Sequence, residues 1–196
     1  MEPGSVTAVV GRPGTGVSTS LARICATAAE QGARVVLASW ERPASGSAEL
    51  VGRHDVAIPQ IINWDVAELE RCPEIRDAPS GSVIAIDYLQ LVDDQGEDAA
   101  SALHTLAVER EFRVVLGVMA RRELSELEGD VPPARAARLV GQAILPVLRH
   151  ADTAVVLTGT DNQSRRAVVT TPAAGNRDTW LMHWTANLGQ DNEGNN

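Results

Sequence analysis

Two apolar runs flank a glycine-rich turn and a stretch with helical spacing, all within residues 5–39, and no other part of the chain constrains the fold so tightly. Residues 5–10 read as a short buried strand. Gly11-Arg12-Pro13-Gly14-Thr15-Gly16-Val17-Ser18 follows at once. Residues 17–31 carry Leu21, Ile24, Cys25 and Ala28 at helical spacing, with Gly32 as a C-terminal stop. Residues 34–39 read as a second strand. A strand, a loop, a helix and a parallel strand form a βαβ unit, whose crossover is right-handed. Glycines between the strand and the helix let backbone N–H groups and the helix dipole converge on an anion. The eight residues from Gly11 fit the phosphate-loop pattern G-x-x-x-x-G-K-[ST] with one exception: Val17 stands where the lysine belongs.

No other position supplies that ammonium, because the chain contains no lysine and all 17 of its basic residues are arginine. A GC-rich coding bias accounts for missing surface lysines. It accounts less well for Val17, since arginine would keep the charge. Hydrophobic residues make up 44% of the chain, yet there is one Phe and one Tyr, so the core is expected to be aliphatic, as in a parallel sheet covered by helices. At 196 residues one domain is expected, over residues 1–186, with 187–196 a disordered polar tail. The net charge of −9 argues against strong nonspecific nucleic-acid binding. Arg121-Arg122 and Arg165-Arg166 read as solvated surface pairs. Cys25 and Cys72 lack a C-x-x-C spacing, and Cys25 falls on an apolar helix stripe, so reduced thiols are expected. With no basic leader before the first strand and no apolar run of membrane-spanning length, a soluble cytoplasmic protein is expected.

Beyond residue 42 prolines punctuate the chain, with short helices read near 48–54 and 66–71. Residues 82–87 form a strongly apolar strand ending in Asp87, 98–110 a helix, and 113–118 another buried strand. Residues 123–133 read as a mobile acidic loop, and 134–150 as a helix bent or interrupted at Pro146. Strands are expected over 153–158, 166–171 and 179–184. The turn at 173–176 makes a hairpin of the last two. Trp180 and Trp184 share a face of a regular strand, where core packing is the simpler role than base stacking. His54, His104, His150 and His183 show no metal-ligand spacing, and Ser18, Thr19 and Ser20 have no histidine close in sequence for nucleophilic catalysis.

Three features together point to nucleotide chemistry. The loop from Gly11 to Thr19 supplies an anion cradle, and Ser18 matches the hydroxyl that binds Mg²⁺. Asp87, at the end of an apolar strand, suits the acid that holds the metal through water, and Glu41, at the end of the second strand, suits a general base that polarises water. Alone, Asp87 reads equally well as a cap and Glu41 as a surface acid. In this order the combination becomes specific. Ile84-Ala85-Ile86-Asp87-Tyr88-Leu89-Gln90-Leu91-Val92 resembles the I-D-Y-L-Q-L segment of DnaB-type replicative helicases. Arg12-Pro13 is similar to that family's A-R-P-x-x-G-K-T loop. Ser39-Trp40-Glu41-Arg42 is similar to its S-L-E-M, whose Glu is the catalytic base, and residues 150–156 resemble its D-A-D-V-V strand. The resemblance runs over about residues 5–185. It implies an α/β, RecA-like P-loop fold: a mostly parallel central sheet flanked by helices, with a C-terminal antiparallel hairpin and nucleotide at subunit interfaces.

The departures from the family all fall on groups that handle phosphate. Val17 replaces the lysine. Val118 stands at the family's polar glutamine. The K-Q-R-N-G motif is reduced to residues 170–177, with Arg177 its remaining cation. The first expectation is therefore a pseudo-ATPase that acts through a protein partner or self-association, in replication, plasmid maintenance or regulation. At most it would hold ATP, ADP or phosphate weakly, with Mg²⁺ at Ser18 and Asp87. The alternatives are an atypical Mg-ATP-dependent, helicase-like ATPase using Ser18, Asp87 and Glu41, with Arg12 or a partner's arginine in place of the lysine, and a DNA-binding module without hydrolysis.

Overall fold

The computed structural model describes residues 1–39, 43–52, 54–59, 71–87, 97–119, 132, 135, 145–158, 166–173 and 176–187. In chain order the elements are β1 (Ser5–Gly11), α1 (Val17–Glu30), β2 (Val35–Ser39), α2 (Ala44–Val51), β3 (Val56–Ala57), α3 (Pro73–Arg76), β4 (Val83–Asp87), α4 (Glu97–Arg110), β5 (Arg113–Met119), α5 (Leu145–Leu148), β6 (Thr153–Thr158), β7 (Arg166–Ala173) and β8 (Asn176–Asn187). The strands form one eight-stranded sheet in the order β3-β2-β4-β5-β1-β6-β7-β8. Pairing is parallel from β3 through β6 and antiparallel for β6-β7 and β7-β8.

The central strands are apolar on both faces, and side chains alternate between two cores. Val6, Ala8, Val10, Ile84, Ile86, Val114, Leu116 and Val118 pack on one side with Leu103 and Leu106 of α4 and with Val147 and Leu148 of α5. Val9, Val35, Leu37, Val83, Ala85 and Val115 pack on the other side with Leu21, Ala22 and Cys25 of α1. Helix α1 ends where Gly32 predicts: at φ 82° it lets Ala33 N–H reach Ala28 O at 3.0 Å, closing the helix with a Schellman turn. Helix α4 begins with Glu97 and Asp98 and ends with Arg110, as the helix dipole favours. The Arg110 guanidinium then lies 5.3 Å from the centre of the Phe112 ring.

Several expected boundaries move. The helix expected over 48–54 runs instead from Ala44 to Val51, starting after Pro43 and stopping at Gly52 with φ 78°. Gly46 and Ser47 hide its first turn, because both are weak helix formers. Cys72 and Pro73 open the short α3, where the sequence suggests only punctuation. Pro146 sits inside α5, within the helix expected over 134–150. The β7-β8 hairpin forms as expected, but a register shift lies between Val169 and Thr170. Trp184 pairs opposite Val169 and Trp180 opposite Pro172. The expectations for residues 123–131 and 187–196 fall almost wholly outside the described residues, as does most of 66–71 and 134–144. Among the described residues, no helix is long and apolar enough to cross a membrane.

Candidate nucleotide site

Parallel strands β1, β2, β4 and β5 all end on the same edge, at Gly11, Ser39, Asp87 and Met119. The carboxyl ends of parallel strands are where open α/β sheets bind ligands, and the glycine loop crosses this edge. Gly14 and Gly16 have φ of 85° and 93°, values that side-chain-bearing residues rarely adopt. Gly16 caps α1, whose first N–H groups have no acceptor within the helix. Inside the loop Thr15 closes a turn, its N–H donating to Arg12 O at 3.1 Å and its hydroxyl to the same oxygen at 2.8 Å.

Position 17 is part of the core. Val17 is 3% exposed and packs in the α1-side cluster with Val9, Leu21 and Leu157. Gly11 explains how it fits: a Cβ there would lie 2.2 Å from Thr15 Oγ1, 2.9 Å from Val17 Cγ2 and 3.3 Å from Leu157 Cβ. The missing side chain at residue 11 is therefore the space that Thr15 and Val17 fill.

Ser18 and Asp87 meet. The Ser18 hydroxyl donates to Asp87 Oδ1 at 3.2 Å, and both residues are buried. The Ser39 hydroxyl donates to Asp87 Oδ2 over a longer 3.5 Å. Ser39 was not among the expected site residues. Its signal lies in sheet order, since β2 and β4 are neighbours with Ser39 opposite Asp87, and a linear sequence does not display that pairing. Beneath them Cys25 is fully buried, its thiol pushed up to about 12 by burial first and by the Asp87 charge second. Cys72 is also a free thiol, raised by partial burial and by its 2.9 Å hydrogen bond to Glu74.

The other expected site residues are placed less centrally. Arg12 is half-buried, Pro13 and Gly14 are exposed on the loop, and Thr19 faces outward from the first turn of α1. Val118 is fully buried against the α4 side. Arg177 lies in β8. Glu41 lies outside the described residues.

The hydroxyl of Ser18 and the carboxylate of Asp87 are hard oxygen donors side by side, a set that suits Mg²⁺ when phosphate oxygens complete its shell. The loop backbone suits an anion. Neither contributes positive charge, and among the described residues no group of three or more His, Cys, Asp or Glu could hold a metal alone.

No known family pattern matches the sequence, and no characterised protein aligns with it. Solved structures do resemble it. A DnaB-like replicative helicase, described with its interactions with primase, superposes with a TM-score of 0.67 at 14% identity, over 93% of this chain and 54% of the helicase chain. The ATPase domain of a second protein superposes with a TM-score of 0.64 at 12% identity, over 92% of this chain and 85% of that one. The present chain thus spans about half the length of the helicase it resembles. With the sheet order and the glycine loop, these likenesses establish an α/β, RecA-like P-loop fold of the kind found in DnaB-type helicases.

Proposed function

We propose that this protein is a RecA-like domain that no longer hydrolyses nucleotide efficiently and acts by binding a protein partner, in replication, plasmid maintenance or regulation. The observation that carries the reading is Val17. The position that should present an ammonium to phosphate is apolar and packed among Val9, Leu21 and Leu157. Removing a charged partner from a desolvated phosphate contact costs roughly 2–5 kcal/mol. Each transition-state stabiliser of this kind is worth about 10²- to 10³-fold in rate. Val118 at the glutamine position removes a second polar group. A partner from the replication machinery accords with the helicase likeness, since that helicase is described together with primase.

Calorimetric titration of Mg-ATP and of ADP into wild type and Val17→Lys tests the reading. Wild type is expected to show no micromolar binding, and Val17→Lys to gain affinity. Micromolar binding by wild type defeats the proposal. Circular dichroism melts check that the variant folds, and the wild-type titration decides the question without it.

One observation favours a second reading, an atypical Mg-dependent ATPase: Ser18 and Asp87 place two hard oxygen donors side by side, 3.2 Å apart. Steady phosphate release that requires Mg²⁺ and disappears in Asp87→Asn would establish it.

A further inference from the structure

At the opposite end of the parallel strands from the glycine loop, a cleft of about 360 Å³ opens between α1 and the first residues of β4 and β5. Arg23, Thr27 and Gln31 follow one another at four-residue intervals along α1 and its C-cap, so they line up on one side of the helix. Arg113 faces them from the start of β5, while the half-buried Ile24 gives the cleft an apolar wall.

No described carboxylate lines this cleft, although acidic residues outnumber arginines by 26 to 17 in the whole chain. Two guanidinium groups, a hydroxyl and an amide converge there instead. Helix α1 ends beside the cleft, and its C-terminal dipole opposes an anion with about half an elementary charge. A full guanidinium charge outweighs it.

Arg113 is also held in place. Its N–H donates to Ser82 O at 2.9 Å, and the residue is in register with Ser5 on one side and Val83 on the other. Its Nε–H is buried and meets no acceptor among the described residues. A planar guanidinium on a fixed backbone suits an oxyanion.

We propose that this cleft binds a small organic oxyanion, its charged group engaged by Arg113 and Arg23 and a short apolar part resting on Ile24. The site is separate from the glycine loop and does not depend on the pseudo-ATPase reading.

The test is an amide NMR titration of the full chain with inorganic phosphate and, separately, with butyrate. Saturable shifts are expected at Thr27, Gln31 and Arg113, with at least tenfold weaker binding in Arg113→Gln. The probe that saturates at lower concentration tells a phosphate ligand from a carboxylate one. Shifts confined to residues 14–18, no saturation with either probe, or equal affinity in the variant would each overturn the proposal. Should Arg113→Gln fail to fold, Arg23→Gln, at an exposed helix position, takes its place with the same expected loss.

Discussion

At the scale of single residues, burial decides what a side chain can do in this site. Val17 cannot serve phosphate because it belongs to the core. Cys25, one helical stripe further along, shows the same rule for a titratable group. Its thiol is raised from 9.0 to about 12 because burial disfavours the thiolate and the Asp87 charge disfavours it further. In the unfolded chain the proton leaves near the ordinary value. The unfolded state therefore binds fewer protons above that pH, and folding loses stability as pH rises. The Cys25 contribution is complete below pH 9.0 and is lost progressively up to about 12. The slope in that window is about 1.4 kcal/mol per pH unit. Urea unfolding of wild type and Cys25→Ala at pH 8 and pH 10 measures it. Wild type should lose about 1 kcal/mol more than the variant between the two. Equal losses would show that the thiol does not stay protonated in the fold.

At the scale of elements, the loop between β1 and α1 works by close approach. Gly11→Ala places a methyl group 2.2 Å from Thr15 Oγ1 and 2.9 Å from Val17 Cγ2, so the loop must move. Overpacking of this kind costs about 1–3 kcal/mol, to be read from the urea midpoint. Adding Thr15→Ala removes the nearest atom and should recover part of the loss. An unchanged midpoint in Gly11→Ala would mean that the loop yields freely. The same loop shows how far the elements can be read without a structure. Strands β1, β4 and β5 are legible because burial on both faces writes them as near-continuous apolar runs, and α1 is legible because its buried stripe and Gly32 stop coincide. Ser18 and Asp87 are legible as a pair because each ends or follows such a run. The start of α2 is not, since its first turn holds residues that favour no helix. Ser39 beside Asp87 is not, since the contact depends on β2 and β4 being neighbours across a long connection. The irregular β7-β8 register is invisible to a period-two reading.

At the scale of the whole molecule, the question is whether a RecA-like sheet with this charge can hold a nucleic acid. The net charge of −9 places the protein and a phosphate backbone on the same side of the electrostatic balance. Local patches could reverse that, but two of the described arginines, Arg76 and Arg110, have other engagements. Arg76 makes a two-pronged contact with Asp77, at 2.8 Å from both Nε and Nη2. Arg110 donates to the Arg76 carbonyl at 2.7 Å and covers Phe112. Single-strand affinity falls with salt as counterion release predicts, with a slope of about −0.7 per phosphate neutralised, so a protein that neutralises few phosphates binds weakly and responds little to salt. Nonspecific binders reach dissociation constants of about 10⁻⁴ to 10⁻⁶ M at physiological salt. For this chain an oligothymidine strand is expected to bind no tighter than about 10⁻⁴ M at that ionic strength. Fluorescence anisotropy across a salt series checks both the affinity and the slope. Binding near 10⁻⁶ M with a steep slope, at about the tight end of the nonspecific range, would restore a nucleic-acid role and require arginines clustered on a face beyond those described. Weak, flat binding would remove the DNA-binding module and leave partner binding and Mg-dependent hydrolysis as the two readings.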